Sequence, residues 1–240
     1  MGVLKNEVGR PTNKTILVRN ILKRILVVIV AAGIFAGGYY YNDKISNNTI
    51  TMEQANEMLE KFNSHIEFGY FYEKDRNVNN LDNNIILITA LNSMVHYGNE
   101  TFTKNDVKKI VNQIFGNINY KDESVSSYCG EYIYDNKKKI YKAEAGCGSD
   151  TPYIKSEIID VKSSFNKLII KNKTIIGDFD FGGSGITTWY KDANRKVIIG
   201  KSSDDYPDLE KYFDKADTFK WTFIKDKDKN YIFKSVEKIK

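Results

Sequence analysis

Apolar side chains recur three and four positions apart in three stretches between residues 51 and 116, and this spacing predicts amphipathic helices. The first stretch runs from a Thr51 N-cap to about His65. The second begins at Asp82 or Asn83 and ends at Gly98. A helical region therefore follows directly on residue 50.

The third stretch, TFTKNDVKKIVNQIFGN, carries the clearest helix signals. Thr103 is the N-cap residue, Asp106 stands at the third helical position, and Gly116 ends the helix. The buried stripe is formed by four apolar residues, Val107, Ile110, Val111 and Ile114.

From residue 153 the period changes to two, which is typical of β-strands with one buried face. The segments are YIKSEIIDVKS, NKLIIKNKTIIGDF, GITTWYKD, RKVIIGKS, DTFKWTFIKD and NYIFKSVEKI, each bounded by turn residues. A short helix interrupts them in YPDLEKYFDKA, with Pro207 at its start. This order predicts an α+β fold in which about three helices pack on a curved antiparallel sheet. The specific expectation is a cone of the cystatin or nuclear-transport-factor type.

A different pattern precedes these elements, because the run ILVVIVAAGIFAGGYYYN at 25–42 has no charged side chain. At helical rise it spans about 27 Å, close to the thickness of a bilayer's hydrocarbon core. Lys23 and Arg24 flank its start, and three tyrosines at 39–41 mark its end. The run predicts a transmembrane helix, and the competing interpretation is a cleavable signal peptide.

Charge indicates the orientation of that helix. Residues 1–24 carry six basic side chains and one acid, whereas the whole chain carries 36 basic and 31 acidic residues, so 30 of each remain after the tail. A basic tail stays on the cytoplasmic side. We therefore expect a cytoplasmic tail at 1–24, an anchor at 25–42, a linker at 43–50 and an extracytoplasmic domain at 51–240. Without net positive charge, that domain is not expected to bind nucleic acid.

Two cysteines flank a hairpin pattern, in which CGEYIYD and KIYKAEAGC surround the polar turn DNKKK. If Asp135 faces Tyr141 in the ladder, Cys129 directly faces Cys147. The pattern predicts a disulfide between them, which would stabilise the fold by about 3 kcal/mol. The alternative is two free thiols in a reducing compartment.

The stretch GDFDFGGSGITTW at 177–189 resembles an active-site loop, with two carboxylates before a glycine-rich segment. It lies between two predicted strands, where glycines favour a hairpin turn or a bulge. The alternative interpretation is a ligand-binding loop that uses Asp178, Asp180 and Ser184. A kinase motif is not completed, because the sequence has no glycine-rich phosphate loop near the start, no strand lysine and no catalytic-loop aspartate with its asparagine. A Ca²⁺ loop is not completed either, because position 182 is a glycine where the Ca²⁺ pattern needs a third oxygen ligand.

The segment DKDKNYIFKSVE also imitates a Ca²⁺ loop, with Asp226, Asp228, Asn230 and Glu237 at ligand positions. Its sixth position is Tyr231 instead of glycine, and the alternation of the following residues predicts a strand after a hairpin turn. No catalytic, cofactor-binding or metal-ligating residue is predicted from the sequence, and no cofactor is expected.

Three features between about Val107 and Ile239 can be compared with other proteins. They are a helix that ends in IFG, the hairpin YCGEYIYDNKKKIYKAEAGCG and the closing hairpin FKWTFIKDKDKNYIFKSVEKI. Together they resemble uncharacterised single-pass membrane-anchored extracytoplasmic proteins of low-GC Gram-positive bacteria. The resemblance implies a location and a shape, and it transfers no functional residues.

Two classes of function follow from these features. The first is a membrane-anchored extracytoplasmic domain without enzymatic activity, which binds a protein or another envelope component in an accessory role. The second is a surface-exposed hydrolase or metal-dependent enzyme that uses scattered Asp, Glu and His side chains. The first is preferred, because no local constellation of titratable residues indicates a catalytic pocket.

Overall fold

A computed structural model describes residues 50–63, 69–95, 100–127, 130–145, 153–180, 184–203 and 209–239. The helices within these ranges are α1 Met52–Asn63, α2 Tyr70–Glu73, α3 Asn83–Asn92, α4 Lys104–Phe115 and α5 Glu210–Phe213. The strands are β1 Arg76–Asn77, β2 Thr101–Thr103, β3 Val125–Ser127, β4 Gly130–Asp135, β5 Ile140–Ala145, β6 Tyr153–Ser163, β7 Lys167–Phe179, β8 Thr187–Tyr190, β9 Ile198–Ser202, β10 Asp217–Lys225 and β11 Tyr231–Ile239.

The predicted helix starts are confirmed at α1 and α4. The Thr51 hydroxyl accepts a hydrogen bond from the Gln54 N–H, and the Gln54 side chain accepts one from the Thr51 N–H. Thr103 and Asp106 form the same reciprocal box at the start of α4. Because these contacts join residues only three positions apart, they could be predicted from the sequence alone.

Other helix boundaries differ from the sequence expectation. α3 begins after Asp82 as expected, but it ends at Asn92, well before Gly98. The short helix α2 was not predicted as a helix; its Tyr70, Phe71 and Tyr72 are buried.

The larger sheet has the strand order β1-β11-β10-β7-β8-β9, and β6 pairs with the other edge of β7. Every pairing in it is antiparallel. The α+β class and the antiparallel arrangement are therefore as predicted. The long strand β7 is central because its first part pairs with β10 and its last part with β8.

A second sheet of four strands has the order β2-β5-β4-β3, so the strands do not form the single sheet that the sequence predicted. Its central hairpin also corrects the predicted register by one residue, because Asp135 pairs with Ile140 and not with Tyr141. The predicted register would oppose the buried Tyr132 to the exposed Glu144.

The shorter connection between β4 and β5 has a local cause. The Asp135 carboxylate accepts hydrogen bonds from the N–H groups of Lys137 and Lys138. Lys139 adopts a left-handed backbone with φ of 56° and donates its N–H to the Asp135 carbonyl. These bonds close the turn within four residues.

The main core lies between helices α1 to α4 and one face of the larger sheet. Aromatic rings fill it, and the Phe62 ring of α1 lies 5.2 Å from the rings of Phe71, Trp221 and Phe233. Such edge-on and tilted contacts are the favoured geometry of packed aromatic rings. The core therefore fixes the helices on this sheet face.

A smaller apolar cluster covers the opposite face at the end of β7. It contains Ile175, Trp189, Tyr212 and Phe213. Ile176, the next residue along β7, belongs to the main core. Because consecutive strand residues point to opposite faces, this end of β7 is buried on both sides.

Candidate functional site

The outward face of α4 carries a polar stripe, which forms one wall of the candidate site. Val107, Val111 and Ile114 are buried and dock the helix on the core. The residues at positions i, i+3, i+4, i+7 and i+8 from the second helical position share the other face: Asn105, Lys108, Lys109, Asn112 and Gln113.

The turn between β10 and β11 forms the facing wall. One Asp226 carboxylate oxygen accepts hydrogen bonds from the N–H groups of Asp228, at 2.9 Å, and Asn230, at 2.8 Å. Lys229 takes a left-handed backbone with φ of 67°, and its N–H donates to the Asp226 carbonyl. The turn is therefore held by its own first residue, while the Asp228 side chain is not used for this purpose.

The backbone at the end of α4 packs closely against a side chain of β11. Gly116, the residue that ends α4, has φ of 78°, which favours glycine. A Cβ added there would lie 2.6 Å from Cδ1 of Ile232 on β11. The helix end and the strand that follows the turn are therefore in contact, which places the turn beside the polar stripe.

An open groove with a volume of about 410 Å³ lies between these walls. Its lining residues are Asn105, Lys108, Lys109, Asn112, Gln113, Asp226, Asp228 and Asn230. All of them are polar, and four carry amide side chains that can both donate and accept hydrogen bonds. The groove is therefore suited to a polar ligand.

Most of the lining side chains have no partner among the residues that the structure describes. In the part of the chain that the structure describes, no hydrogen bond or ion pair involves the side chains of Asn105, Lys108, Asn112, Gln113, Asp228 and Asn230. Lys109 lies within electrostatic range of Asp106, whose pKa is lowered chiefly by its hydrogen bonds to Thr103. These side chains can therefore form hydrogen bonds with a ligand without breaking a bond within the described fold.

The residues of the predicted ligand loop lie elsewhere: Asp178 is near the end of β7, and Asp180 and Ser184 belong to the connection between β7 and β8. Asp178 forms an ion pair with Arg195 at 3.0 Å. Asp180 accepts hydrogen bonds from the N–H and the hydroxyl of Ser184, at 3.0 and 3.1 Å. The three side chains therefore have partners within the protein, and a ligand role for them stays a prediction.

The sequence expectation for 226–237 is confirmed, since Asp226, Asp228 and Asn230 lie in a hairpin turn and Glu237 lies on β11. Glu237 instead forms an ion pair with Lys220 on β10. Within the described residues, no group of three or more His, Cys, Asp or Glu side chains is arranged to hold a metal ion.

A second polar cluster is buried and belongs to the core. The Asn172 amide donates to the Thr174 hydroxyl at 2.9 Å and to the Ser156 hydroxyl at 3.2 Å, and it accepts from the Trp221 indole at 3.0 Å. The Tyr72 hydroxyl joins this network, and burial raises its pKa. Because its members satisfy one another, the network holds the core together and has no free group for a ligand.

A buried carboxylate lies at the start of β10. The Asp217 side chain is only 8% exposed, and it forms ion pairs with Lys191, at 3.0 Å, and with Lys238. Two cations therefore neutralise one carboxylate, which makes the cluster structural.

Two sequence predictions fall on parts of the chain outside the described residues. Cys129 and Cys147 both lie there, so the disulfide stays a prediction, although the register premise behind it is corrected by one residue. The predicted anchor at 25–42 lies there as well. Among the described residues, no helix is both long enough and apolar enough to cross a membrane.

Sequence reasoning found α4 and the turn after β10 but did not connect them. The signal that was present is the amide and lysine content of the outward face in KNDVKKIVNQ. What the sequence could not supply is the proximity of this face to residues 226–230, because that proximity depends on the packing of α4 against β11.

Comparison with known proteins gives no family for this chain: no protein-family model matches it, and neither does a curated protein or a solved structure.

Proposed function

We propose that this protein is a single-pass membrane protein whose domain at 51–240 faces outward and binds a component of the cell envelope without catalysing a reaction. The tail at 1–24 would be cytoplasmic, and residues 25–42 would form the anchor. The support for this location is the uncharged apolar run, the basic tail before it and the balanced charge after it.

One observation carries the binding function: six of the eight side chains that line the groove between α4 and the β10–β11 turn have no hydrogen bond or ion pair among the described residues. Elsewhere in the domain, conspicuous polar groups are used internally. Asp217 and Asn172 are satisfied within the core, Asp178 is paired with Arg195, and Asp180 is paired with Ser184. A ligand that fills the groove would gain hydrogen bonds without breaking any of these.

We further propose that the domain is related in shape to cone-like folds of the cystatin or nuclear-transport-factor type. The support is a long antiparallel sheet with helices on the face that carries Trp221, Phe223 and Phe233. The proposed kinship with membrane-anchored proteins of low-GC Gram-positive bacteria rests on the helix and hairpin motifs of the sequence.

The location is tested by protease treatment of intact protoplasts that express the full chain. We expect digestion of the domain and survival of a small membrane-bound fragment. Release of the intact domain into the culture medium would instead indicate signal cleavage. Protection of the domain until the membrane is ruptured would contradict the proposed orientation.

The binding function is tested by sedimentation of the full chain, kept in detergent micelles, with purified bacterial cell-wall sacculi. A variant that combines Lys108→Ala with Asn112→Ala should lose most of the sedimented fraction. A matched control combines Lys142→Ala on β5 with Asn119→Ala, which are exposed positions outside the groove. Equal sedimentation of the groove variant and the wild type would contradict the proposal.

A further inference from the structure

The two walls of the groove carry opposite charges that remain separate. Lys108 and Lys109 belong to the α4 wall, and Asp226 and Asp228 belong to the turn wall. Within the described residues, no ion pair joins either lysine to either aspartate. A groove of this kind presents a cationic side and an anionic side to one ligand.

The groove is also lined by side chains that offer the same hydrogen-bonding groups as a peptide backbone. Asn105, Asn112, Gln113 and Asn230 each offer one carbonyl acceptor and one amide donor group. A peptide unit offers the same pair, one N–H and one C=O. The four amides can therefore exchange hydrogen bonds with the backbone of a short peptide.

We propose that the groove binds a short zwitterionic peptide, with the peptide carboxylate at the α4 wall and the peptide amine at the turn wall. This inference rests on the proposed binding function and names the ligand class of the same site. The groove volume of about 410 Å³ is at the lower end of the range for ligand sites, which suits a few residues. An extended tripeptide spans about 10 Å.

Other ligand classes use only part of this lining. A phosphate or another simple anion would engage the lysines and be repelled by Asp226 and Asp228, whereas a metal ion would have the opposite preference. An uncharged glycan would leave both charged walls unmatched. Only a ligand that carries both charges complements both walls.

The test is calorimetric titration of the full chain in detergent micelles with four forms of trialanine at low ionic strength. The forms have free ends, an acetylated amine, an amidated carboxylate, or both caps. We expect each single cap to weaken binding by about three- to tenfold, because it removes one charge-assisted interaction. The doubly capped form should bind weakest, and added salt should reduce the differences.

Two variants assign each charge to its wall. In Lys108→Gln, amidation of the peptide carboxylate should no longer weaken binding by much, whereas acetylation of the amine should weaken binding as it does in the wild type. We call each loss of affinity on capping a penalty. Asp228→Asn should do the reverse, and it leaves Asp226 in place to hold the turn. The control Lys142→Gln on β5 should keep both penalties.

Equal affinity for all four peptides would overturn the inference and leave the binding function standing. The same holds if no trialanine form binds while sedimentation with sacculi still depends on Lys108 and Asn112. If no trialanine form binds and sedimentation with sacculi does not depend on Lys108 and Asn112, both the inference and the proposed function are overturned. If Lys108→Gln and Asp228→Asn change the effects of the two caps in the same way, the assigned orientation of the peptide is overturned.

Discussion

Asn172 and Trp221 are joined across neighbouring strands by a hydrogen bond in which the indole N–H donates to the amide oxygen, at 3.0 Å. Both side chains are fully buried. The same amide donates to the hydroxyl groups of Thr174 and Ser156, and its nitrogen lies 3.5 Å from the Tyr72 hydroxyl. One polar side chain therefore satisfies the largest ring of the core and connects β7 with β6, β10 and α2.

Replacing Asn172 by Leu should destabilise the domain by about 2–3 kcal/mol, because the Trp221 N–H loses its acceptor in a buried place. Urea unfolding of the full chain in detergent, followed by tryptophan fluorescence, measures the change. The control is Asn119→Leu at an exposed position, where we expect less than about 0.5 kcal/mol. Similar losses for the two variants would show that the network contributes little.

The Asp217 cluster gives a prediction about coupling. Lys191→Met or Lys238→Met alone leaves the buried carboxylate with one partner, so each should cost less than about 1 kcal/mol. The double variant leaves Asp217 unpaired, and its cost should exceed the sum of the single costs by about 1–2 kcal/mol. Additive costs in the same unfolding measurement would contradict this account.

Gly200 on β9 lies under the Tyr212 ring, and an added Cβ would lie 2.1 Å from a ring carbon. Gly200→Ala should therefore displace Tyr212 from its stacking on Trp189 and destabilise the domain by about 1–3 kcal/mol. The matched test repeats the substitution in a Tyr212→Ala background. In that background the added methyl group has room, so Gly200→Ala should lower the thermal midpoint much less than it does in the wild type.

Alkaline pH should destabilise the domain through Tyr120, a partly buried tyrosine. Burial, reinforced by the nearby Asp122, raises the pKa of Tyr120 to about 12. The pKa in the folded state lies above that of the unfolded chain, so the stabilisation is complete below about pH 10 and is lost as the pH rises towards 12. Unfolding titrations over this window should show a shallower loss for Tyr120→Phe than for the wild type. Identical slopes would contradict the assignment.

The disulfide between Cys129 and Cys147 remains a prediction, motivated by the hairpin that joins β4 and β5. Thiol labelling of the unreduced, unfolded full chain should detect no free cysteine. Replacing both cysteines by serine should cost about 2–4 kcal/mol, since the unfolded chain loses a constraint. Two labelled thiols would exclude the bond, and one would indicate an intermolecular or mixed disulfide.

The sequence alone determined the features that depend on near neighbours in the chain. The boxes at Thr51 and Thr103 and the Asp226 turn are closed by residues no more than four positions apart. The alternation of apolar and polar residues after position 153 likewise identified the strands, because a half-buried strand has a fixed period of two. These local rules were sufficient for the α+β class.

Only the tertiary structure decided which distant elements meet. The register of β4 against β5 depends on burying Tyr132 together with Tyr141, and the division of the strands into two sheets depends on pairings between remote segments. The groove has the same origin, because the packing of Gly116 against Ile232 brings α4 beside a turn more than 100 positions later. Such contacts depend on the shape of the whole core, which no local pattern in the sequence encodes.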